Sequence, residues 1–360
     1  MQKYRILGLM SGTSLDGLDI ACVEFSSGRR WTFKVMAAET IRYSSKWENR
    51  LALAHTLPAE ELLALHSAYG KFLGEACADF VRKKKIRQVD AIASHGHTVF
   101  HQPERRFTFQ LGDGNAIHAA TGLPVICDFR SLDIQLGGEG APLVPVGDRL
   151  LFASADICLN LGGIANLSLE RKGKRRAYDI CFCNMALNYL MKEVGKDFDN
   201  GGRLAAKGAV VPALAEALAA AYTHVRKKRK SLGREFFTSS IQPLLNQQHI
   251  SLKDRLRTVC ESVADEIDLA IPSDGRGLQM LTTGGGAWNR FLVDVIRGRL
   301  QGKATVVLPP REIIDFKEAI IFALLGVLRL RGETNVLSSV TRSRNDSCSG
   351  VLVGNLPGGV

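Results

Sequence analysis

The chain has 360 residues, 46% of them hydrophobic and 23% charged, a balance that excludes long disordered tracts, collagen-like repeats and coiled-coil rods. At roughly 100–200 residues per domain this length predicts two domains, each able to bury a core without disulfide or metal staples. The formal net charge of +11 raises nucleic acid as a partner, but the densest basic run, Arg226 to Lys230, has no interleaved aromatic residues and reads as a solvated helix end. No apolar run approaches the roughly 18 residues that span a bilayer, and the start, Met1 to Met10, has too short an apolar stretch for a signal peptide. The eight cysteines are scattered through apolar runs without a Cys-x-x-Cys pair, as expected of buried thiols in a reducing cytoplasm.

In chain order, Tyr4 to Met10 and Leu18 to Phe25 read as strands around a polar turn, Ser11 to Gly17. Leu62, Leu65, Tyr69, Phe72, Leu73, Ala76 and Phe80 recur at helical spacing and predict a long helix between Pro58 and Lys85. Strand-like runs at Val89 to Ser94, Phe107 to Leu111 and Val125 to Cys127, with a helix at Asn115 to Thr121, make the pattern α/β. The Gly- and Pro-dense stretch Gln135 to Pro145 marks passage between domains, giving a first domain of residues 1–128, rejoined by 340–360, and a second of 129–339. The second begins as the first does, with Ile157 to Leu161, a Gly162-Gly163 turn and Asn166 to Leu169. Helices dominate from Met185 to Ile271. The strand Gln279 to Thr282, glycines Gly284 to Gly286, helix Arg290 to Leu300, strand Ala304 to Leu308 and helix Phe316 to Leu330 follow.

Three glycine turns carry the chemistry. In the first, the amides of Gly12 and Gly17 can approach an anion, the hydroxyls of Thr13 and Ser14 can donate to phosphate oxygens, and Asp16 and Asp19 could hold a hydrated cation. A plain hairpin turn uses the same residues for conformational reasons. The turn is neither a Walker loop nor a dinucleotide fingerprint. Gly162 and Gly163 repeat the logic in the second half, and Gly284, Gly285 and Gly286 precede a helix whose amides attract anions. This set resembles the apparatus with which the actin, hexokinase and heat-shock ATPase class grips ATP, an α/β fold of two lobes with an active-site cleft between them.

A longer match is more specific. Gly8-Leu-Met-Ser-Gly-Thr-Ser-Leu-Asp-Gly-Leu-Asp19 resembles the opening signature of the anhydro-N-acetylmuramic acid kinases, as do Ser94-His-Gly-His-Thr-Val-Phe-His-Gln-Pro103, Asp128-Phe-Arg-Ser-Leu-Asp133, Gly137 to Pro145, Asn160 to Asn166 and Gly284 to Asn289. The resemblance implies a cytoplasmic enzyme of cell-wall sugar recycling that uses ATP and Mg2+. It would phosphorylate O6 of 1,6-anhydro-N-acetylmuramic acid while water opens the anhydro bridge. The amino sugar is the expected partner, nucleic acid and membrane are not, and a homodimer is compatible.

That reaction needs a base for the attacking water. Asp179, after the strand-like Arg176 to Tyr178 and before a helix starting near Asn184, is expected to face the cleft beside helix-start amides; a helix-capping Asp is the plainer reading. By resemblance it matches the family's catalytic aspartate in Asp-Thr-Gly-Pro-Gly-Asn. Here Asp179-Ile-Cys-Phe-Cys-Asn184 replaces the Gly-Pro-Gly, which opens a kinase for another amino sugar, or an inactive binding relative, as alternatives. Val340 to Asn345 also departs from the family's Val-Thr-Gly-Ala. The resemblance places His95, His97, Asp128, Arg130 and Asp133 in the sugar pocket and pairs Glu318 with Asp179 in catalysis. Structural hydrogen bonding by the histidines, an Arg130–Asp133 ion pair and a helix-dipole role for Glu318 are the alternatives. The spacing of His95, His97 and His101 carries no convincing metal set.

Overall fold

The computed structural model describes residues 2–12, 15–228, 232–272 and 276–355. The chain divides into two compact units, Met1–Leu151 with Phe316–Val360, and Phe152–Asp315. It opens with three antiparallel strands, β1 (Gln2–Ser11), β2 (Leu18–Ser27) and β3 (Thr32–Ile41), then helices α1 (Ser45–Ala52) and α2 (Ala59–Lys83). Strands β4 (Ala91–Gln102), β5 (Phe107–Leu111) and β6 (Val125–Cys127) follow, with α3 (Gly114–Thr121) before β6 and α4 (Ser131–Gln135) and α5 (Val144–Leu151) after it. The second unit has β7 (Ile157–Leu161), β8 (Ile164–Arg171) and β9 (Lys174–Phe182), then α6 (Asn184–Met191), α7 (Pro212–Lys228), α8 (Arg234–Phe236), α9 (Gln242–Leu245) and α10 (Leu252–Ala270). Strand β10 (Leu278–Thr283), α11 (Arg290–Arg299) and β11 (Ala304–Val307) complete it. Helix α12 (Arg311–Leu330) runs into the first unit, which α13 (Ser338–Thr341) and β12 (Val351–Val353) close.

The two sheets share a topology. In each, three antiparallel strands form a meander, and two further strands lie parallel on the far side of the first: β3-β2-β1-β4-β6 in one unit, β9-β8-β7-β10-β11 in the other. β12 extends the first sheet and β5 pairs with β4. The central strands are apolar on both faces, as strands covered on both sides must be; Ile6, Leu7 and Leu9 of β1 are all buried. Gly8 sits among them because α12 crosses directly over it: a Cβ there would lie 1.9 Å from the Ala319 carbonyl oxygen. Each sheet packs its own hydrophobic cluster, Leu7 to Val125 in the first unit and Ile157 to Val306 in the second.

The α/β class and the opening hairpin are as expected. The periodicity did not reveal β3 or α1, and β4 runs eight residues past Ser94, so the three histidines lie within the strand and not after it. The compact units divide at 151 and 315 where the sequence reading has 128 and 339. Residues 129–151 stay in the first unit because Gly147 packs against Ile321 and Asp148 pairs with Lys317 at 2.8 Å, both side chains buried. Among the described residues no helix is long and apolar enough to cross a membrane.

Candidate active site

In the first unit the six-residue turn between β1 and β2 holds Gly12, Asp16 and Gly17, with Asp19 just inside β2; Thr13 and Ser14 lie outside the described residues. Gly17 is required sterically, since a Cβ would sit 2.7 Å from the Ile41 carbonyl oxygen at the end of β3. Asp19 Oδ1 accepts from Thr40 Oγ1 at 2.5 Å, which orients this carboxylate. Asp16 is exposed.

Beside the turn, β4 carries His95 and His97. A separation of two would place both on one face of a regular strand, but Gly96 has a φ of 74° and the β1–β4 register gains a residue between Leu9 and Ser11. This bulge re-aims the second histidine: His95 packs on Phe322 of α12, His97 against Tyr69 of α2. His95 Nδ1 faces the Gly96 carbonyl at 2.8 Å, while Nε2 faces Arg130 Nε and Nη2 at 3.1 and 2.8 Å. Arg130 can only donate, so Nε2 accepts and Nδ1 carries the proton. Burial and the Arg130 charge hold His95 well below the usual imidazole range. Arg130 also donates to the Gly140 carbonyl at 2.6 Å, and burial lowers its guanidinium to about 10 against the attraction of Glu318 and Asp133.

Glu318, near the middle of α12, keeps an exposed side chain, yet crowding by protein on its other sides raises its carboxyl, with Lys317 and Arg130 pulling it back down. Asp128 has a φ of 52°, a strained conformation that Asp tolerates better than most residues. It accepts from the Ser131 amide and hydroxyl at the start of α4.

Two residues assigned to the sugar pocket are otherwise occupied. Asp133 is completely buried; Oδ1 accepts from Thr341 Oγ1 at 2.7 Å and Oδ2 from the Gly140 amide at 2.8 Å, so it ties the 137–140 loop to α13. It offers no oxygen to a ligand, and Arg130 bonds His95 and Gly140 instead. His97 is buried against Ser11 and the Gly12 backbone.

In the second unit, Gly162 and Gly163 form the two-residue turn between β7 and β8. Their carbonyls accept from the amides of Cys183, Asn184 and Met185, so the turn caps α6. Asn184 Nδ2 donates to the Leu161 carbonyl. Gly284 (φ 84°) and Gly286 pack onto the same place: a Cβ on either would lie within 2.9 Å of Leu161 atoms, whereas Gly285 has nothing nearer than Asn184 Nδ2 at 3.5 Å. The second turn, the third turn and Asn184 thus form one cluster, in which Gly163 and Gly285 are the uncrowded positions: a Cβ there would make only ordinary contacts, with Met185 at 3.8 Å and Asn184 at 3.5 Å.

Asp179 lies within β9, five residues before that cluster, opposite Asn166 and next to a bulge that leaves Ile180 unpaired. The helix-start amides expected to face it are already taken by Gly162 and Gly163. Its Oδ2 accepts instead from the Leu232 amide at 2.8 Å, and burial raises its carboxyl above the usual range. It lines a cavity with Tyr178, Val225, Arg226 and Glu266, the last two an ion pair between α7 and α10. The replaced residues Ile180 to Cys183 are all buried in the second unit's core. Cys183 turns the chain into α6 with φ −111° and ψ −96°, an unusual conformation at a position the family gives to glycine. Its thiol and that of Cys181 are raised by burial, as inert core cysteines are.

A sheet topology present twice, each copy with a glycine turn between its first two strands, is the α/β fold of the actin and hexokinase type. The family model for anhydro-N-acetylmuramic acid kinase matches residues 4–354. Curated proteins of that name are similar along their whole length: one from Gloeobacter violaceus is 36% identical over 95% of this chain and 96% of its own, and one from Vibrio parahaemolyticus 34% identical over 96% and 97%. The chain belongs to the anhydro-N-acetylmuramic acid kinase family, and it is a kinase with an alcohol group as acceptor.

Proposed function

We propose that the chain transfers the γ-phosphoryl group of ATP to O6 of 1,6-anhydro-N-acetylmuramic acid as water adds to C1. The observation that carries this reading is Asp179, retained at the family's motif position and holding a desolvated carboxylate fixed by one backbone amide. Asp179 takes a proton from the water as its oxygen bonds to C1; the C1–O6 bond breaks, and O6 takes up the phosphoryl group. Burial raises this carboxyl above its ordinary range, which makes it a stronger proton acceptor for the water. Arg130 and Asp128 are the polar side chains of the first unit assigned to the sugar, with His95 holding Arg130 in place, and Glu318 stands with Asp179 in catalysis.

Gly12, Gly17, Gly162 and Gly163 serve the phosphates, Thr13 and Ser14 add hydroxyls by sequence, and Gly284 to Gly286 serve the nucleoside. Two carboxylates, one of them oriented by Thr40, are the donor set that Mg2+ takes alongside substrate phosphates. Asp16 and Asp19 would hold it, and bound there it would neutralise phosphate charge. ATP use and eight unbridged cysteines fit the cytoplasm. The substitutions that would favour another amino sugar, Ile180 to Cys183, are directed into the core, which supports the family's own acceptor. Incubation with ATP, Mg2+ and the anhydro sugar in heavy-oxygen water tests the whole scheme. Mass spectrometry should find the label on the sugar carbon and none in the transferred phosphoryl group; an unlabelled sugar phosphate would refute it.

A further inference from the structure

A chain of buried hydroxyls ends beneath the first glycine turn. The Tyr69 and Tyr43 hydroxyls lie 2.6 Å apart, the Tyr43 hydroxyl donates to Ser11 Oγ at 2.8 Å, and Ser11 Oγ lies 3.1 Å from His97 Nδ1. His97 also hydrogen-bonds the backbone of Gly12, the first residue of the turn. All four side chains are buried, between 0% exposed for Tyr69 and 6% for Tyr43. They come from α2, the segment after β3, the end of β1 and the bulge of β4, so the chain exists only in the folded unit.

Counting protons orders the tyrosine end of the chain. Tyr43 spends its proton on Ser11 and therefore accepts from Tyr69. Ser11 Oγ then meets His97 Nδ1, and it also hydrogen-bonds Tyr69. Burial keeps the imidazole neutral, pushing His97 down to about 4. A buried polar chain is costly unless every bond in it is made, whereas phenylalanine and alanine could fill the same space with no such demand. No step of the proposed reaction uses these side chains, so the arrangement calls for a role at the place where it ends.

We propose that Tyr43, acting through Ser11 and His97, is a positioning residue that fixes the Gly12 end of the first turn and thereby sets affinity for the polyphosphate of the nucleotide. This rests on the reading of Gly12 to Asp19 as a phosphate turn. Tyr43→Phe keeps the ring and removes one hydroxyl, leaving Ser11 without its donor and Tyr69 without its acceptor. KM for ATP should rise about tenfold, the size of one buried hydrogen bond, while kcat and KM for the sugar stay within about twofold. Inorganic tripolyphosphate, as a competitor of ATP, should weaken by the same factor, and adenosine should not.

A purely structural role would lower the denaturation midpoint and leave the KM for ATP and the tripolyphosphate inhibition unchanged, and that result overturns the proposal. So does an equal weakening of adenosine. Tyr69→Phe, which keeps the Tyr43–Ser11–His97 bonds, should raise KM for ATP by a smaller factor, about threefold; it carries the test if Tyr43→Phe does not fold, and an unchanged KM there is then decisive against the proposal. Failure of the phosphate-turn reading itself would appear in the unmodified enzyme, as tripolyphosphate that does not compete with ATP.

Discussion

Replacing Asp179 by asparagine separates catalysis from folding more sharply than any other single change in this protein. The amide has the size of the carboxylate, and its oxygen can still accept from the Leu232 amide that Oδ2 uses now. What it loses is the ability to hold a proton. Removal of a general base typically slows turnover roughly 10²- to 10⁴-fold, or about 3–5 kcal/mol of transition-state stabilisation. Stability should move the other way. The folded-state pKa of Asp179 is raised by burial, so its contribution to stability is full below the unfolded pKa and is lost as pH rises through the folded value. At neutral pH the ionised carboxylate is thus a cost that asparagine does not carry, and Asp179→Asn should unfold at the same or a higher denaturant concentration than the unmodified chain. Calorimetric titration with ATP and Mg2+ should show nearly unchanged affinity, while a coupled assay of ADP release with the anhydro sugar shows the collapse in turnover. An Asp179→Asn enzyme turning over within about threefold of the original would remove Asp179 from the mechanism. A variant that loses ATP binding together with turnover would point to a folding role in its place.

Packing and burial set two further outcomes. Gly8→Ala puts a methyl group 1.9 Å from the Ala319 carbonyl oxygen, so β1 and α12 must separate, at a cost of about 3 kcal/mol in urea unfolding; an unchanged midpoint would contradict the packing of α12 on the first sheet. Because the His97 pKa falls from 6.5 to about 4 on folding, its contribution to stability is present above pH 6.5 and declines as pH falls from there toward 4, by about 3 kcal/mol. His97→Gln should flatten the pH dependence of unfolding in that window by a comparable amount, and an identical slope in both proteins would refute the burial argument.

The sequence by itself determined the α/β class, the paired hairpins and the glycine turns, because strand alternation, helical spacing and turn chemistry are local properties that survive in one dimension. The Gly12 to Asp19 turn stood out in the same way, whereas the need for Gly8 appeared only with α12 packed over it. Tertiary structure decided how the polar residues are used. The helix-start amides expected beside Asp179 cap onto Gly162 and Gly163, and a backbone amide 53 residues away takes their place, a pairing no spacing announces. Asp133 reads like a ligand in its motif but spends both oxygens on Thr341 and Gly140, contacts that exist only after the loop has closed. His95 and His97 lie two residues apart, yet one bulge at Gly96 sends them to different helices. Tyr43 has no motif at all; its hydroxyl acquires meaning only because α2, β1 and β4 bring Tyr69, Ser11 and His97 around it. A hydrogen bond depends on tenths of an ångström between residues far apart in the chain, and packing fixes that distance where periodicity cannot.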